Sequence, residues 1–162
     1  MTIQLVKGNL LDAFDAGEVD VIGHCVNYQG VIGSGIAEQI KYRYPEVYRR
    51  YRLSYEAPHH KVFNPLLGRA QFVVPDEENY PWKIVVNLFG QDHYGTHKRQ
   101  LNYGAISHSL DTMRKHVGFY NPKAIGFPYK MGSDRAGGDW AIVQEMIEYY
   151  FRGYDVKIYQ LD

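Results

Sequence analysis

Apolar residues recur along the chain at two different periods, and the change of period predicts strands that alternate with helices. Short runs that are mostly apolar or that alternate with polar residues predict strands at 2–6, 19–26, 70–74, 83–89, 124–127 and 155–161. Apolar residues spaced by three and four predict helices at 36–44, 46–55, 103–117 and 140–151. Between the first two strands we expect only a turn after Gly8.

This order of elements predicts a three-layer α/β/α sandwich with a central mixed, mostly parallel sheet. The length, 162 residues, is that of one domain, so we expect residues 1–162 to form a single unit. In such sheets ligands bind at the carboxyl ends of the strands. That edge is expected to bring together the loops at 27–35, 90–95 and 130–138.

Composition narrows the class of protein. The apolar fraction of 45% supports a proper core, and 18 basic residues balance 18 acidic residues, so no overall field attracts nucleic acid or an acidic membrane. The single cysteine, Cys25, excludes an internal disulfide and a cysteine-rich zinc site, and fits a reducing compartment. No run approaches the roughly 18 apolar residues of a membrane span, and the N-terminus lacks the apolar core of a signal peptide. We therefore expect a soluble, cytoplasmic protein with no metal and no membrane partner.

Two glycine-rich turns each connect a predicted strand to a predicted helix. The turn at 132–140, which Asp139 ends as a candidate helix cap, can direct backbone N–H groups at an anion, although a glycine connection without a ligand is the alternative. The turn at 27–35 lacks the third glycine of a dinucleotide fingerprint, since Glu38 stands there, and no Gly-Lys-Ser or Gly-Lys-Thr occurs. Two such turns without a lysine motif favour a diphosphate held by backbone donors.

Five short motifs follow one another along the chain: Gly8-Asn9-Leu10, His24-Cys25-Val26-Asn27, Gly33-Ser34-Gly35-Ile36-Ala37, Asn87-Leu88-Phe89-Gly90-Gln91 and Gly132 with Ala136-Gly137-Gly138-Asp139-Trp140. These motifs are similar to those of the macrodomains, which bind ADP-ribose. The similarity spans nearly the whole chain. It is widest with the branch that contains ADP-ribose 1''-phosphate phosphatases and terminal ADP-ribose-protein hydrolases.

The resemblance implies a role for particular positions. It places Asn27 near the hydroxyls of the distal ribose, Gly33, Ser34, Gly35 and Ile36 on the diphosphate, and Asn9 and Leu10 at the adenine end. The second turn is implied to close over the phosphates through Met131, Gly132, Ser133, Asp134, Arg135 and Ala136. ADP-ribose is then a ligand or substrate, and no separate cofactor is implied.

The departures from the family bear on mechanism. Branches that form a lysine adduct carry lysine and aspartate where this chain has Phe89 and Ala136, so that mechanism is disfavoured. Candidate acid–base groups are Asp92 and His24, with His93 beside Asp92, while Asn27 positions the ribose. For His24 the alternative is a structural histidine in the core.

Two classes of function remain open at this point. One is a hydrolase that removes a phosphate or another substituent from the terminal ribose of ADP-ribose. The other is a non-catalytic reader of ADP-ribose or of ADP-ribosylated macromolecules. The polar loop at 91–94 favours the enzyme, and nucleic acid enters only as an ADP-ribosylated substrate.

Overall fold

A six-stranded sheet with helices on both faces forms the structure, a computed structural model that describes residues 3–27, 35–56, 66–92, 99–133 and 136–161. The strands are β1 Ile3–Lys7, β2 Val21–Asn27, β3 Ala70–Val73, β4 Ile84–Gln91, β5 Ile125–Pro128 and β6 Val156–Gln160. The helices of the described part are α1 Leu10–Ala16, α2 Gly35–Arg43, α3 Pro45–Glu56, α4 Tyr103–Val117 and α5 Trp140–Tyr150.

The strand order is β1-β6-β5-β2-β4-β3, and every pair is parallel except β3 with β4. Side chains alternate between the two faces along each strand. On β2, Val21 and Cys25 belong to the core beneath α4 and α5, while Ile22 lies in the core with α1, α2 and α3. The predicted three-layer sandwich with a mixed, mostly parallel sheet is therefore confirmed.

The turn predicted after Gly8 is wrong, because residues 10–16 form α1. Asn9 caps this helix, Gly17 closes it with φ 81°, and the inward side of its seven residues is buried. Against the core, α1 packs closely enough that a Cβ at Gly126 of β5 would lie 2.7 Å from Leu10 Cδ1. A helix this short depends on its caps and its packing more than on its own propensity.

Candidate functional site

The carboxyl ends of β1, β2, β4 and β5 lie along one edge of the sheet. β2 lies between β4 and β5, so the chain continues from β2 to a neighbouring strand on one side and returns later to the neighbouring strand on the other side. A crevice opens at such a position in α/β folds. Asn27 ends β2, Asp92 follows β4, and the loop at 129–139 follows β5. These groups are therefore brought to the same edge.

Asn27 is held by Tyr51 from the middle of α3. The Tyr51 hydroxyl donates to both the backbone oxygen and the side-chain Oδ1 of Asn27, each at 2.8 Å. The Tyr51 ring stacks on Phe89 of β4, with ring centroids 5.8 Å apart and planes at 21°. Asn27 is only 5% exposed. The end of β2 is thus anchored to both the helical layer and the neighbouring strand.

The loop after β5 is joined to the segment that leads into α4. The Ala136 carbonyl accepts from the backbone N–H groups of Gln100 and Leu101, at 2.7 and 3.1 Å. Leu101 fills the inside of the loop: a Cβ at Gly132 would lie 2.8 Å from Leu101 Cδ1, and one at Gly138 would lie 2.3 Å from Leu101 Cδ2. Packing against Leu101 therefore accounts for these two glycines without a ligand.

Three helices begin at this edge with a side chain that already engages their first backbone donors. Asn9 Oδ1 accepts from two N–H groups of α1, Asn102 accepts from Ala105 in α4, and Asp139 accepts from Ala141 in α5. These donors are satisfied internally, and the Asp139 carboxylate opposes a second negative charge. α2 is the fourth described helix that begins at this edge, and the residue before it lies outside the described residues.

Gly35 begins α2 in a conformation that favours glycine. Its φ is 66°, and a Cβ built there meets no atom of the described residues within 4 Å. A positive φ with open space on the side of the missing Cβ allows a ligand to approach the backbone closely. The N-terminus of α2 also carries partial positive charge, which suits an anion.

His24 lies inside the sandwich and has no exposed surface. Its Nε2 lies 2.6 Å from Asn87 Oδ1, and Nδ1 has no partner among the described residues. Burial lowers the pKa of His24 from 6.5 to about 4, although the hydrogen bond with Asn87 opposes this shift. The ring is therefore neutral near pH 7, and Nε2–H donates to Asn87.

Asp92 is the acidic group at the end of β4. It is half-buried, and its backbone N–H donates to the Gln100 carbonyl at 2.8 Å. Cys25 of β2 belongs to the core beneath α4 and α5, and burial raises the pKa of its thiol to about 12. At neutral pH the Cys25 thiol is therefore a protonated core side chain.

Comparisons with solved structures match the chain along almost its entire length, although no protein-family model and no curated protein matches it. The macrodomain of Mycobacterium tuberculosis DarG is 24% identical over 99% of this chain and 99% of that chain, with a TM-score of 0.80. A macrodomain protein from Streptomyces coelicolor is 25% identical over 99% and 100%, with a TM-score of 0.75. Thermosipho africanus DarTG in complex with ADP-ribose matches 96% of this chain and 41% of its own, with 20% identity and a TM-score of 0.72. This chain has the macrodomain fold.

The macrodomain resemblance of the sequence motifs is thereby confirmed, while the branch stays a prediction. Of the predicted site residues, the fold brings Asn9, Asn27, Gly35, Asp92 and Gly132 to the carboxyl edge of the sheet. His24 is the exception, because its buried ring cannot contact a ligand in the crevice. The structure thus favours the structural alternative for His24.

Several predicted contacts are restricted to the backbone. The side chains of Leu10, Met131 and Ala136 are buried in the core, at 3%, 4% and 5% exposure. Ile36 lies in the first turn of α2 and packs partly against the core, and the Ser133 hydroxyl donates to the Met131 carbonyl. The predicted positions outside the described residues are Gly33, Ser34, Asp134 and Arg135, together with His93.

Metal and membrane contacts have no candidates in the described part of this macrodomain. No group of three or more His, Cys, Asp or Glu side chains is arranged to hold a metal ion there. None of the described helices has the length and apolar character needed to cross a membrane.

Sequence reasoning missed Tyr51 and Leu101. Tyr51 was one tyrosine of an apolar helical stripe, and nothing local distinguished its hydroxyl from those of Tyr48 or Tyr55. Leu101 precedes α4 without a periodic partner. The sequence contained only a weak indication of its role, since Leu101 is a single apolar residue between Gln100 and Asn102.

Proposed function

We propose that this macrodomain binds ADP-ribose in the crevice at the carboxyl edge of the sheet and hydrolyses a substituent from the terminal ribose. The observation that carries the proposal is the match of 96% of this chain to Thermosipho africanus DarTG, a structure solved with ADP-ribose. The substituent is a phosphate or the linkage to an ADP-ribosylated macromolecule. Nucleic acid is a partner only as an ADP-ribosylated substrate.

The diphosphate binds at the start of α2 in this proposal. Gly35 supports it, because its positive φ and the absence of any described atom within 4 Å of an added Cβ allow a ligand to approach the backbone at a positively polarised helix terminus. The loop at 131–136 closes over the phosphates from the other side. Gly132 in this loop is already packed against Leu101, so the described part of the loop contributes a preformed wall.

The adenine and the terminal ribose bind at opposite ends of the crevice. Asn9 Oδ1 is engaged in capping α1, so Asn9 recognises adenine through its Nδ2 donor instead of its oxygen. Asn27 positions the terminal ribose from the end of β2. Asp92, at the end of the adjacent strand β4, accepts the proton of the attacking water.

A non-catalytic reader is the second candidate. The burial of His24 favours it, because this burial leaves Asp92 as the acid–base candidate that the described residues place at the crevice. Both candidates require ADP-ribose binding. They differ in whether Asp92 supports turnover.

Binding is tested by calorimetry with ADP-ribose and AMP. We expect a Kd in the micromolar range for ADP-ribose, roughly −8 kcal/mol, and far weaker binding of AMP, which lacks the diphosphate. Gly35→Glu should abolish binding because it places bulk and negative charge at the start of α2. Gly17→Glu is the matched control, since Gly17 also has a positive φ, 81°, and an open Cβ direction, but ends α1 at the opposite edge. Equal affinities for AMP and ADP-ribose would contradict the proposal.

Turnover is tested with ADP-ribose 1''-phosphate, ADP-ribosylated protein and ADP-ribosylated DNA. Asp92→Asn should lose about 100-fold or more in rate and keep ADP-ribose binding within several-fold. His24→Gln keeps a side-chain N–H donor for Asn87, and residue 24 does not reach the crevice, so this variant should keep the rate. Absence of turnover by the unmodified protein on all three substrates would favour the reader, and undiminished turnover by Asp92→Asn would remove Asp92 from the mechanism.

A further inference from the structure

Tyr51 is a fully buried tyrosine whose hydroxyl binds the residue assigned above to the terminal ribose. We propose that Tyr51 is a positioning residue, which orients the Asn27 amide and thereby sets the affinity for ligands that carry a terminal ribose. This inference rests on the proposed function. Tyr51 has no exposed surface, so it cannot contact a ligand and can act only through its neighbours.

The Tyr51 hydroxyl binds Asn27 at two points. One O–H is shared between the backbone oxygen and Oδ1 of Asn27, each at 2.8 Å. Because both acceptors belong to the same residue, the hydroxyl fixes the side-chain amide relative to the backbone at the end of β2. The oxygen side of the amide faces Tyr51, and the Nδ2 donor side is directed away from it.

The helix that carries Tyr51 is itself tied to the sheet. A chain of side-chain hydrogen bonds crosses three strands, in which His24 donates to Asn87 and Asn87 donates to Gln71. Gln71 Nε2 then donates to the Arg50 carbonyl at 3.0 Å and to Ser54 Oγ at 2.7 Å, on either side of Tyr51 in α3. His24, Asn87 and Gln71 occupy paired positions on β2, β4 and β3.

The direction of these hydrogen bonds gives His24 a role that does not require contact with the ligand. Every link donates toward α3, an arrangement in which hydrogen bonds strengthen one another. The neutral ring supplies the first donor. With the stacking of Tyr51 on Phe89, the chain leaves the Tyr51 hydroxyl little freedom, so the orientation of Asn27 is set before a ligand arrives.

An amide that is oriented in advance loses less conformational entropy when it binds a ligand. Tyr51→Phe keeps the ring and its stacking but removes the hydroxyl. We expect about a five- to tenfold loss of affinity for ADP-ribose, the size of one hydrogen bond. Affinity for ADP, which has the diphosphate but no terminal ribose, should change by less than about twofold.

Tyr44→Phe is the matched control. Tyr44 is also buried, and its hydroxyl also contacts a backbone carbonyl and a side-chain oxygen, those of Leu11 and Asp15. Tyr44 lies between α2 and α3, and its hydroxyl binds α1 instead of Asn27. Its loss should lower the unfolding temperature but leave the ratio of the ADP-ribose and ADP affinities unchanged.

Calorimetry of the full chain and its variants with ADP-ribose and ADP decides the question. A fall in that affinity ratio for Tyr51→Phe but not for Tyr44→Phe supports the inference, and in an Asn27→Ala background Tyr51→Phe should then have no further effect. Equal ratios for Tyr51→Phe and the unmodified protein overturn the inference and leave the proposed function intact. An unmodified protein that does not prefer ADP-ribose to ADP overturns the terminal-ribose site and this inference with it.

A ligand-free measurement adds an independent readout. The side-chain amide of Asn27 gives an NMR signal whose relaxation reports its order on the ps–ns timescale. In Tyr51→Phe the side-chain amide of Asn27 should become more mobile, while its backbone amide keeps its order. Unchanged side-chain order contradicts the positioning role whether or not a ligand binds.

Discussion

Gly132 and Leu101 provide a direct test of why the second turn contains glycine. Gly132 has a φ of 74°, and a Cβ at this position would lie 2.8 and 3.2 Å from the two Cδ atoms of Leu101. Gly132→Ala therefore combines two penalties. The left-handed conformation contributes roughly 1–2 kcal/mol, and the contact with Leu101 contributes about 1–3 kcal/mol as in other overpacked cores.

Leu101→Val should relieve only the second penalty. Valine lacks the Cδ atoms, while Leu101 Cγ lies at an ordinary 3.5 Å from the position of the added Cβ. Alone, Leu101→Val should lower the free energy of unfolding by about 1 kcal/mol, the usual cost of one buried methylene. The double variant should be more stable than the sum of the two changes predicts, by about 1–3 kcal/mol.

Urea unfolding of the unmodified protein, Gly132→Ala, Leu101→Val and the double variant completes a double-mutant cycle. It measures the coupling free energy between the two substitutions, provided that the m-value is unchanged. Gly137→Ala is the control, because Gly137 also has a positive φ, 76°, but its added Cβ would approach the backbone Cα of Arg99 at 3.1 Å. Leu101→Val should give no relief there. A coupling between Gly132→Ala and Leu101→Val smaller than about 0.5 kcal/mol would refute the packing explanation.

Two further predictions concern titratable groups in the core. Burial lowers the pKa of His24 from 6.5 to about 4, so between pH 4 and 6.5 the unfolded chain binds a proton on this ring that the folded protein does not bind. The free energy of unfolding should therefore fall as the pH drops from 6.5 toward 4, by up to about 1.4 kcal/mol per pH unit. His24→Gln should remove this part of the slope in urea titrations, and equal slopes would contradict the assignment. Cys25, whose pKa burial raises to about 12, should resist a thiol reagent at pH 8 until urea unfolds the protein, and rapid labelling of the native protein would show that the thiol is accessible.

Local periodicity was sufficient for the long elements. The predicted helix at 103–117 has the observed bounds of α4, because its apolar side chains recur on the one face that packs against the sheet. The strands at 19–26 and 83–89 were recognisable as buried runs, and the structure shifts their ends by one or two residues. In these segments, the partition of apolar side chains from water and the backbone period require the same structure.

Short elements and end effects were beyond that signal. α1 has only seven residues, too few for its period to be separated from a turn with two leucines. Its stability comes from the Asn9 cap, the Gly17 terminus and contacts with β5. These are interactions with parts of the chain that the pattern of residues 10–16 does not specify.

For the crevice, the amino-acid sequence by itself was sufficient to identify the motifs similar to those of macrodomains, their order and the two glycine turns. Only the tertiary structure distinguished the two turns, because Leu101 occupies the space beside Gly132, whereas no described residue occupies the space beside Gly35. Likewise, the fold turned His24 into the first donor of a buried hydrogen-bond chain, and it placed the Tyr51 hydroxyl on Asn27. The physical reason is that hydrophobic period and glycine conformation are local properties, whereas the atom that fills a space or accepts a proton comes from a distant part of the chain.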